Sequence, residues 1–242
     1  MMDVLRRKSV EDPEMPSNFP ALRLSLAYLL HDPTSLLPHQ TVSTFLALPI
    51  PVTPGLPALP STLPKTTIRA LVLDKDNTLC PPETTKLHPD YLAKIEKLKA
   101  STEFSSNRHS ILIVSNTAGS TSSPAHEEEA VLLEKQLGLD VLRQHPQRRK
   151  PFCGPDVLAY FKKHDVTDNP AEIAVVGDRL ATDVLLARDM GSWSIWCQDG
   201  WRDPKVPTQD YRGFLSRLES RFESIMRTRV GRMAPFPRSG PP

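Results

Sequence analysis

Two acidic runs dominate the chemistry open to this chain. Asp74-Lys75-Asp76-Asn77-Thr78 closes the apolar segment RALVLD (69–74), and Asp178 opens the run DRLATD, ending at Asp183, directly after EIAVVG. A carboxylate at the tip of a buried strand is costly unless something compensates it. If Asp74, Asp76, Asp178 and Asp183 converge, they repel one another and call for a cation. An all-oxygen set selects a hard ion such as Mg²⁺, which also accepts phosphate oxygens as ligands. Taken singly, each acid has a plainer reading as a helix cap. A third apolar segment ends in Ser115-Asn116-Thr117, whose hydroxyls and backbone N–H groups suit phosphate oxygens but are also ordinary turn formers. Lys150 ends the basic stretch RQHPQRRK (143–150) and can bring a positive charge to the same edge, although such stretches are usually solvated.

These residues need a scaffold that gathers strand ends. From Ile68 onward the pattern predicts strands over 69–74, 110–115, 140–143, 172–178 and 193–198. Helices are predicted over 89–100, 127–138, 154–164 and 181–190. The helix over 127–138 starts with three acids and ends at Gly138, as helix electrostatics and capping favour. Near-continuous apolar strands alternating with helices predict an α/β fold, a three-layer doubly wound parallel sheet. Such sheets bind ligands at the carboxyl ends of their strands.

The first third of the chain is different. Eleven of the 25 prolines fall within positions 1–64. Residues 1–19 read as a flexible leader or a targeting segment, basic only as far as Lys8 and carrying Asp3, Glu11, Asp12 and Glu14 besides. Residues 20–31 (PALRLSLAYLLH) read as a short helix, either packed on the core or lying on a membrane surface. Residues 45–64 carry a proline every two to four positions, which excludes a helix or a central strand and predicts an extended arm. The expected organisation is therefore a leader (1–19), a helix with a proline-rich arm (20–66), a domain of alternating strands and helices (67–228) and a basic tail (229–242).

Composition narrows the function classes. The chain has 242 residues, a formal net charge of +2 and 39% hydrophobic residues, which suits a globule with a real core and imposes no global field demanding a nucleic-acid partner. Three widely spaced cysteines (Cys80, Cys153, Cys197) exclude a disulfide scaffold and a Cys-x-x-Cys zinc site. No apolar run is long enough to span a bilayer. Cysteine-phosphatase chemistry is disfavoured because Ala159, not an arginine, lies six residues after Cys153.

DKDNT, IVSN, a lone lysine before a helix and GDRLATD occur in that order at successive strand ends. The set resembles the four motifs of the haloacid dehalogenase superfamily. That resemblance implies Asp74 as nucleophile, Asp76 as general acid and then base, and Ser115 with Asn116 as phosphate-binding residues. It implies Lys150 as the residue neutralising nucleophile and phosphate. Asp178 becomes the principal Mg²⁺ carboxylate beside Asp74, with Asp76 contributing through its backbone carbonyl and Asp183 supporting. Lys75, Asn77 and Thr78 would support the motif. The second aspartate favours phosphatase over dehalogenase chemistry, since a departing halide needs no proton.

Many small-metabolite phosphatases of the superfamily carry a cap domain, but Leu79–His88 offers only ten residues for one and Gln144–Arg149 only six. An open cleft suits a phosphate presented on something large. The longer phrases LVLDKDNT, LIVSNTAGS and AVVGDRLATDVLLARDMGSWSIW make the chain resemble, over roughly 20–201, the mitochondrial phosphatidylglycerophosphate phosphatase family. This implies a phospholipid substrate on the route to cardiolipin, and peripheral contact with an anionic membrane at the matrix side of the inner membrane. It implies no nucleic-acid partner, and self-association is open because capless members often borrow a neighbouring subunit. Arg217, Arg221, Arg227, Arg229, Arg232 and Arg238 outnumber the tail's Glu219 and Glu223 by four, which suits an anionic surface or a merely solvated helix. Two alternatives stay open, a capless phosphatase of phosphoproteins or polynucleotide ends and a non-enzymatic binding module.

Overall fold

The computed structural model describes residues 28, 31–57, 67–206, 213–228 and 230–237. Six strands, β1 (Gln40–Val42), β2 (Ala70–Leu73), β3 (Ile111–Ile113), β4 (Asp140–Val141), β5 (Ile173–Gly177) and β6 (Trp193–Cys197), form one sheet in the order β1-β6-β5-β2-β3-β4. Every pairing is parallel. Among the described residues the α-helices are α1 (Pro89–Lys99), α2 (Pro124–Leu137), α3 (Gly154–Lys163), α4 (Leu185–Met190) and α5 (Phe214–Thr228).

Alternation along the strands divides the interior into two cores. Leu71, Leu73, Ala174 and Val176 face a core built with Tyr91, Ile95 and Leu98 of α1 and Ala130 and Leu133 of α2. Ala70, Val72, Ile173 and Val175 face a second core with Val157 and Phe161 of α3 and Leu186 and Met190 of α4. Strands covered on both faces have no reason to alternate polar and apolar residues, which is why they read as unbroken apolar runs. The helices start and stop where local chemistry says they should. Pro89 and Pro124 occupy first-turn positions, the Ser123 hydroxyl accepts from Ala125 N, and Gly138 ends α2 with a left-handed φ of 62°.

Register sets the position of the site. Leu73 of the central β2 is level with Ile113 of β3 and Val176 of β5, so all three strands end together at one edge. Asp74 N donates to Val176 O at 2.9 Å and Val114 N to Leu73 O at 2.9 Å, holding that edge flush. The stretches Leu79–His88 and Gln144–Arg149 carry turns and one short 3-10 helix, and no cap domain arises from either.

Three elements differ from the sequence expectation. The edge strand β1 was not legible, because it has only three residues and pairs on one side, with β6. The arm is not simply extended: Phe45–Ala47 and Thr53–Gly55 form 3-10 turns, and Phe45, Leu48 and Val52 are buried in the first core. Phe45–Ala47 contains no proline, and Pro54 does not prevent the second turn because a short 3-10 helix tolerates proline at its first positions. The helix expected over 181–190 begins instead as a π-helical turn, Leu180–Val184, before α4. The leader and most of the helix over 20–31 lie outside the described residues. Within that helix, the Tyr28 hydroxyl donates to Asp189 Oδ1 at 3.1 Å.

His39 clasps the C-terminal segment to the sheet. Its Nδ1 accepts from Ser194 N at 3.0 Å, and its Nε2 faces Pro235 O at 2.9 Å, so the ring is neutral with the proton on Nε2. Burial pushes its pKa down to about 4. Unfolding releases the imidazole to titrate in its ordinary range, so its contribution is full above about pH 6.5 and is lost as pH falls toward 4. Its size is at most about 3 kcal/mol. Urea midpoints measured at intervals from pH 7.5 to 4 should decline, and His39→Gln should flatten that decline; an unchanged slope in the variant would refute the assignment.

Candidate active site

The tip of β2 and the turn after it supply the first half of the site. Asp74 is buried at 6% exposure. Thr78 Oγ1 donates to Asp74 Oδ2 at 3.2 Å, so the turn folds back on its own leading acid. Asn77 adopts a left-handed φ of 57°. Its Nδ2 donates to Asp178 Oδ2 at 2.7 Å, joining the turn to the tip of β5, and its Oδ1 accepts from Trp201 N at 3.3 Å. Gly200, itself at φ +65°, leaves room for this amide: a Cβ there would stand 2.4 Å from Asn77 Nδ2.

Lys75 is fully buried, yet its ammonium is satisfied by Asp76 Oδ1 at 2.7 Å, Glu129 Oε1 at 2.5 Å and Thr84 O at 3.2 Å. Burial alone would lower its pKa, but Asp76 and Glu129 more than offset that. The Asp76 carboxylate also accepts from Thr117 Oγ1 at 3.0 Å and from Glu83 N at 3.0 Å. Glu129 was read from sequence as one of three acids favouring a helix N-terminus. Because α2 starts at Pro124, only Glu127 lies in the first turn, and Glu129 turns inward to Lys75.

The other half comes from the ends of β3 and β5. Lys150 N donates to Asn116 Oδ1 at 3.0 Å, so the β3 loop seats the lysine backbone. Lys150 Nζ, itself buried, donates to Asp74 Oδ1 and, at 2.7 Å, to Asp183 Oδ1. Asp183 lies in the π-helical turn, and its Oδ2 accepts from Arg179 N at 3.2 Å. A Cβ on Gly177 would come within 2.2 Å of the Asp183 carboxyl carbon, so this glycine is what allows the acid to press against β5. The turn is held from outside by Glu219 of α5, whose carboxylate accepts from Leu180 N at 3.2 Å and Ala181 N at 3.0 Å.

Asp74, Asp178 and Asp183 each offer an oxygen, all within 4.8 Å of one another. The Asp76 carboxylate is outside this trio. Burial raises the Asp74 pKa to about 6, with Lys150 pulling down and Asp183 pushing up. Burial, then Asp74 and Asp183, drives Asp178 well above the carboxylate range. Burial would lower Lys150, but Asp183 and Asp74 reverse it and keep it an ammonium. Ionised together, three carboxylates against one ammonium would carry an excess of negative charge, and among the described residues Asp178 Oδ1 is buried without a hydrogen-bond partner. An orphaned carboxylate oxygen inside an all-oxygen trio fits a hard divalent cation. A second His/Asp group, His109, Asp140 and His164, lies at the opposite edge of the sheet. There Asp140 Oδ2 already takes His109 Nδ1 at 2.7 Å and the Tyr160 hydroxyl.

A cavity of about 470 Å³ opens onto Asp74, Asp76, Asn116, Thr117 and Lys150, with Glu83, His126, Arg149, Arg179 and Thr182 completing its walls. Ser115 is fully buried and does not line it; its hydroxyl accepts from Thr117 N at 3.1 Å. Glu129, Glu219 and Arg179 were not singled out by sequence. The one usable signal was the position of Arg179 directly after Asp178. The cysteines take no part: all three are buried, and burial pushes the Cys80 and Cys153 thiols up to about 12.

Comparison with known proteins bears on this site. Residues 20–202 match the family described as mitochondrial PGP phosphatase. The chain is 42% identical over 203 residues to the mitochondrial phosphatidylglycerophosphatase GEP4 of Saccharomyces cerevisiae, covering 84% of this chain and 96% of that protein. It is 30% identical over 173 residues to a probable mitochondrial phosphatidylglycerophosphatase of Schizosaccharomyces pombe, covering 71% and 78%. A chloroplastic/mitochondrial phosphatidylglycerophosphate phosphatase of Arabidopsis thaliana shares 32% identity over 123 residues, 51% of this chain and 32% of that one. No solved structure gives a significant match.

Asp178→Asn removes a buried acid that its neighbours repel whenever it is charged, while keeping an acceptor for Asn77. It should therefore stabilise the protein in chelator by about 1–3 kcal/mol. Mg²⁺ should raise the melting temperature of the wild type and leave that of the variant unmoved. Loss of stability in chelator, or an equal Mg²⁺ response, would show that Asp178 does not face a cation.

Proposed function

The chain belongs to the mitochondrial PGP phosphatase family, and from that premise we propose that it removes the terminal phosphate of phosphatidylglycerophosphate, leaving phosphatidylglycerol. The observation that carries this reading is the convergence of Asp74, Asp178 and Asp183 within 4.8 Å of one another, with Asp74 open to the cavity and Lys150 bridging Asp74 and Asp183. Asp74, Asp178, Asp183 and the backbone carbonyl of Asp76 are the groups that would hold Mg²⁺. The ion, when bound, screens the anionic phosphate from the anionic nucleophile.

The residues divide the reaction in two. The Asp74 carboxylate attacks phosphorus, the ester P–O bond breaks, and Asp76 gives its proton to the departing glycerol oxygen. Asp76 then takes a proton from water, whose oxygen attacks the phosphorus of the aspartyl phosphate and restores Asp74. Lys75, Glu129 and Thr117 keep the Asp76 carboxyl aimed. The Thr117 hydroxyl, a donor to the carboxylate, reverses to acceptor when the carboxyl gains its proton. Lys150 holds Asp74 in place and offsets charge on the transferring group, the electrostatic positioning that dominates phosphoryl transfer. Asn116 and Thr117 line the same cavity and are suited to the phosphate oxygens; Ser115 supports them from beneath.

We extend the reading to place and surface. The relatives are named as mitochondrial. No helix among the described residues is long and apolar enough to cross a membrane. Peripheral contact with the matrix face of the inner membrane is the arrangement we propose. Leu218 and Ile225 are exposed on α5, one heptad apart, with Arg217 and Arg221 beside them and exposed Val230 and Met233 beyond. Apolar side chains flanked by arginines suit an anionic interface. Arg227 is not part of this surface, being paired with Glu223 and bonded to Pro38 O. Arg229 and Arg238 lie outside the described residues.

Phosphatidylglycerophosphate, a phosphopeptide and a 3′-phosphorylated oligonucleotide should be tested in parallel, with Mg²⁺ and with chelator. Only the lipid should be turned over, and only with the cation; preference for either polymer would reverse the substrate assignment. Asp74→Asn should lower kcat at least about a thousandfold with the fold intact, and residual turnover near wild type would remove Asp74 as nucleophile. Vesicles of anionic lipid should bind the protein at low ionic strength and release it in high salt. Leu218→Asp with Ile225→Asp should prevent that binding, and binding that survives the pair would exclude this face of α5.

A further inference from the structure

The cavity has two cations that the phosphoryl-transfer machinery does not use. Arg149 and Arg179 both line it, each half-exposed. Arg149 precedes Lys150 and Arg179 follows Asp178, so the two come to the cavity from different segments next to the acidic cluster. Neither forms an ion pair within 4.0 Å among the described residues. Arg149 spends one nitrogen on Ser122, Nη2 donating to Oγ at 2.7 Å, while its Nε is buried with no partner at all. Arg179 uses its backbone N–H on Asp183 and its carbonyl on the π-helical turn, and its guanidinium makes no hydrogen bond among the described residues. An unpaired donor next to a binding cavity carries a desolvation cost that an incoming acceptor removes.

Arginine presents a planar fork of donors that matches phosphate oxygens. One phosphate is already provided for at the floor by Lys150. Two guanidiniums with donors to spare on the same cavity therefore call for a second anion. The substrate of the preceding section carries two phosphates of different kind, a terminal monoester and a diester that joins the glycerol to the lipid. With the monoester against Asp74, the diester lies toward the open end of the cavity.

We propose that Arg149 and Arg179 form a second anion subsite that binds the phosphodiester of the substrate and so selects a bisphosphorylated headgroup over simple monoesters. This rests on the phosphatidylglycerophosphatase reading above and deepens it. The glutamate on the cavity wall, Glu83, is exposed, and among the described residues no ion pair within 4.0 Å joins it to either arginine. Thr182 and His126, also on the wall, add no carboxylate to the subsite.

The test uses soluble compounds, so that binding to surrounding lipid cannot imitate binding to the substrate's own diester. Glycerophosphoryl-glycerol phosphate, the deacylated headgroup, carries both phosphates; glycerol 3-phosphate carries the monoester alone. The wild type should prefer the first on kcat/KM, chiefly through KM. Arg149→Gln and Arg179→Gln should each reduce that preference about tenfold, and the double variant should nearly abolish it. A preference that survives in both variants, or one seen only on vesicles, would overturn the subsite. So would a fall in both substrates together at constant ratio, the mark of a merely structural role. Glycerophosphoglycerol, with the diester and no monoester, should inhibit the wild type competitively at millimolar concentration where glycerol does not, and its failure to do so overturns the subsite without any variant. Failure of the function reading looks different: the wild type would then turn over glycerol 3-phosphate and leave phosphatidylglycerophosphate untouched.

Discussion

Three buried carboxylates held against a single ammonium form the constraint around which the molecule is arranged. Like charges removed from water repel strongly, and Lys150 relieves only part of that repulsion. Asp178 keeps one buried oxygen unpaired. Such a cluster is held by the rest of the fold working against it, and its oxygen set is compatible with a divalent cation.

The holding is done by backbone and by neutral side chains. Flush strand ends place Asp74, the β3 loop and Asp178 on one edge. Asn77, in a left-handed conformation, spans from the β2 turn to Asp178. Gly177 and Gly200 matter for what they lack, since a Cβ at either would strike Asp183 or Asn77. The π-helical turn carries Asp183 inward, and Glu219 of α5 caps its first N–H groups. A helix remote in sequence thus supports a catalytic-edge residue, and the same helix presents Leu218 and Ile225 outward. In the proposed reading, one element both steadies the site and turns it to a membrane.

The two roles proposed for aspartates come from contrasting surroundings. Asp74 is buried against Lys150 and Thr78 and is pushed up to about 6. Asp76, two residues on, is held by Lys75, Thr117 and Glu83 N. Adjacent carboxyls on one turn are directed to different tasks by whether the turn points them at the strand ends or at α2.

Much of this was legible in the sequence because it depends on local pattern. Unbroken apolar runs ending in acids specify buried parallel strands with chemistry at their tips, and their alternation with helices specifies the α/β layering. The acids, the Ser115-Asn116-Thr117 turn and Lys150 could be named from residue type and order alone. What the sequence could not convey is whatever depends on contacts between distant segments. β1 is too short to carry a period, and its place at the sheet edge depends on β6. The inward turn of Glu129 depends on where Lys75 comes to rest, and the cap from Glu219 on how α5 packs. Ser115 is covered rather than on the cavity wall, its hydroxyl accepting from Thr117 N. Residue type and order determined which groups were available; only packing across the sheet decided which of them share a cavity, and which are spent holding the others in place.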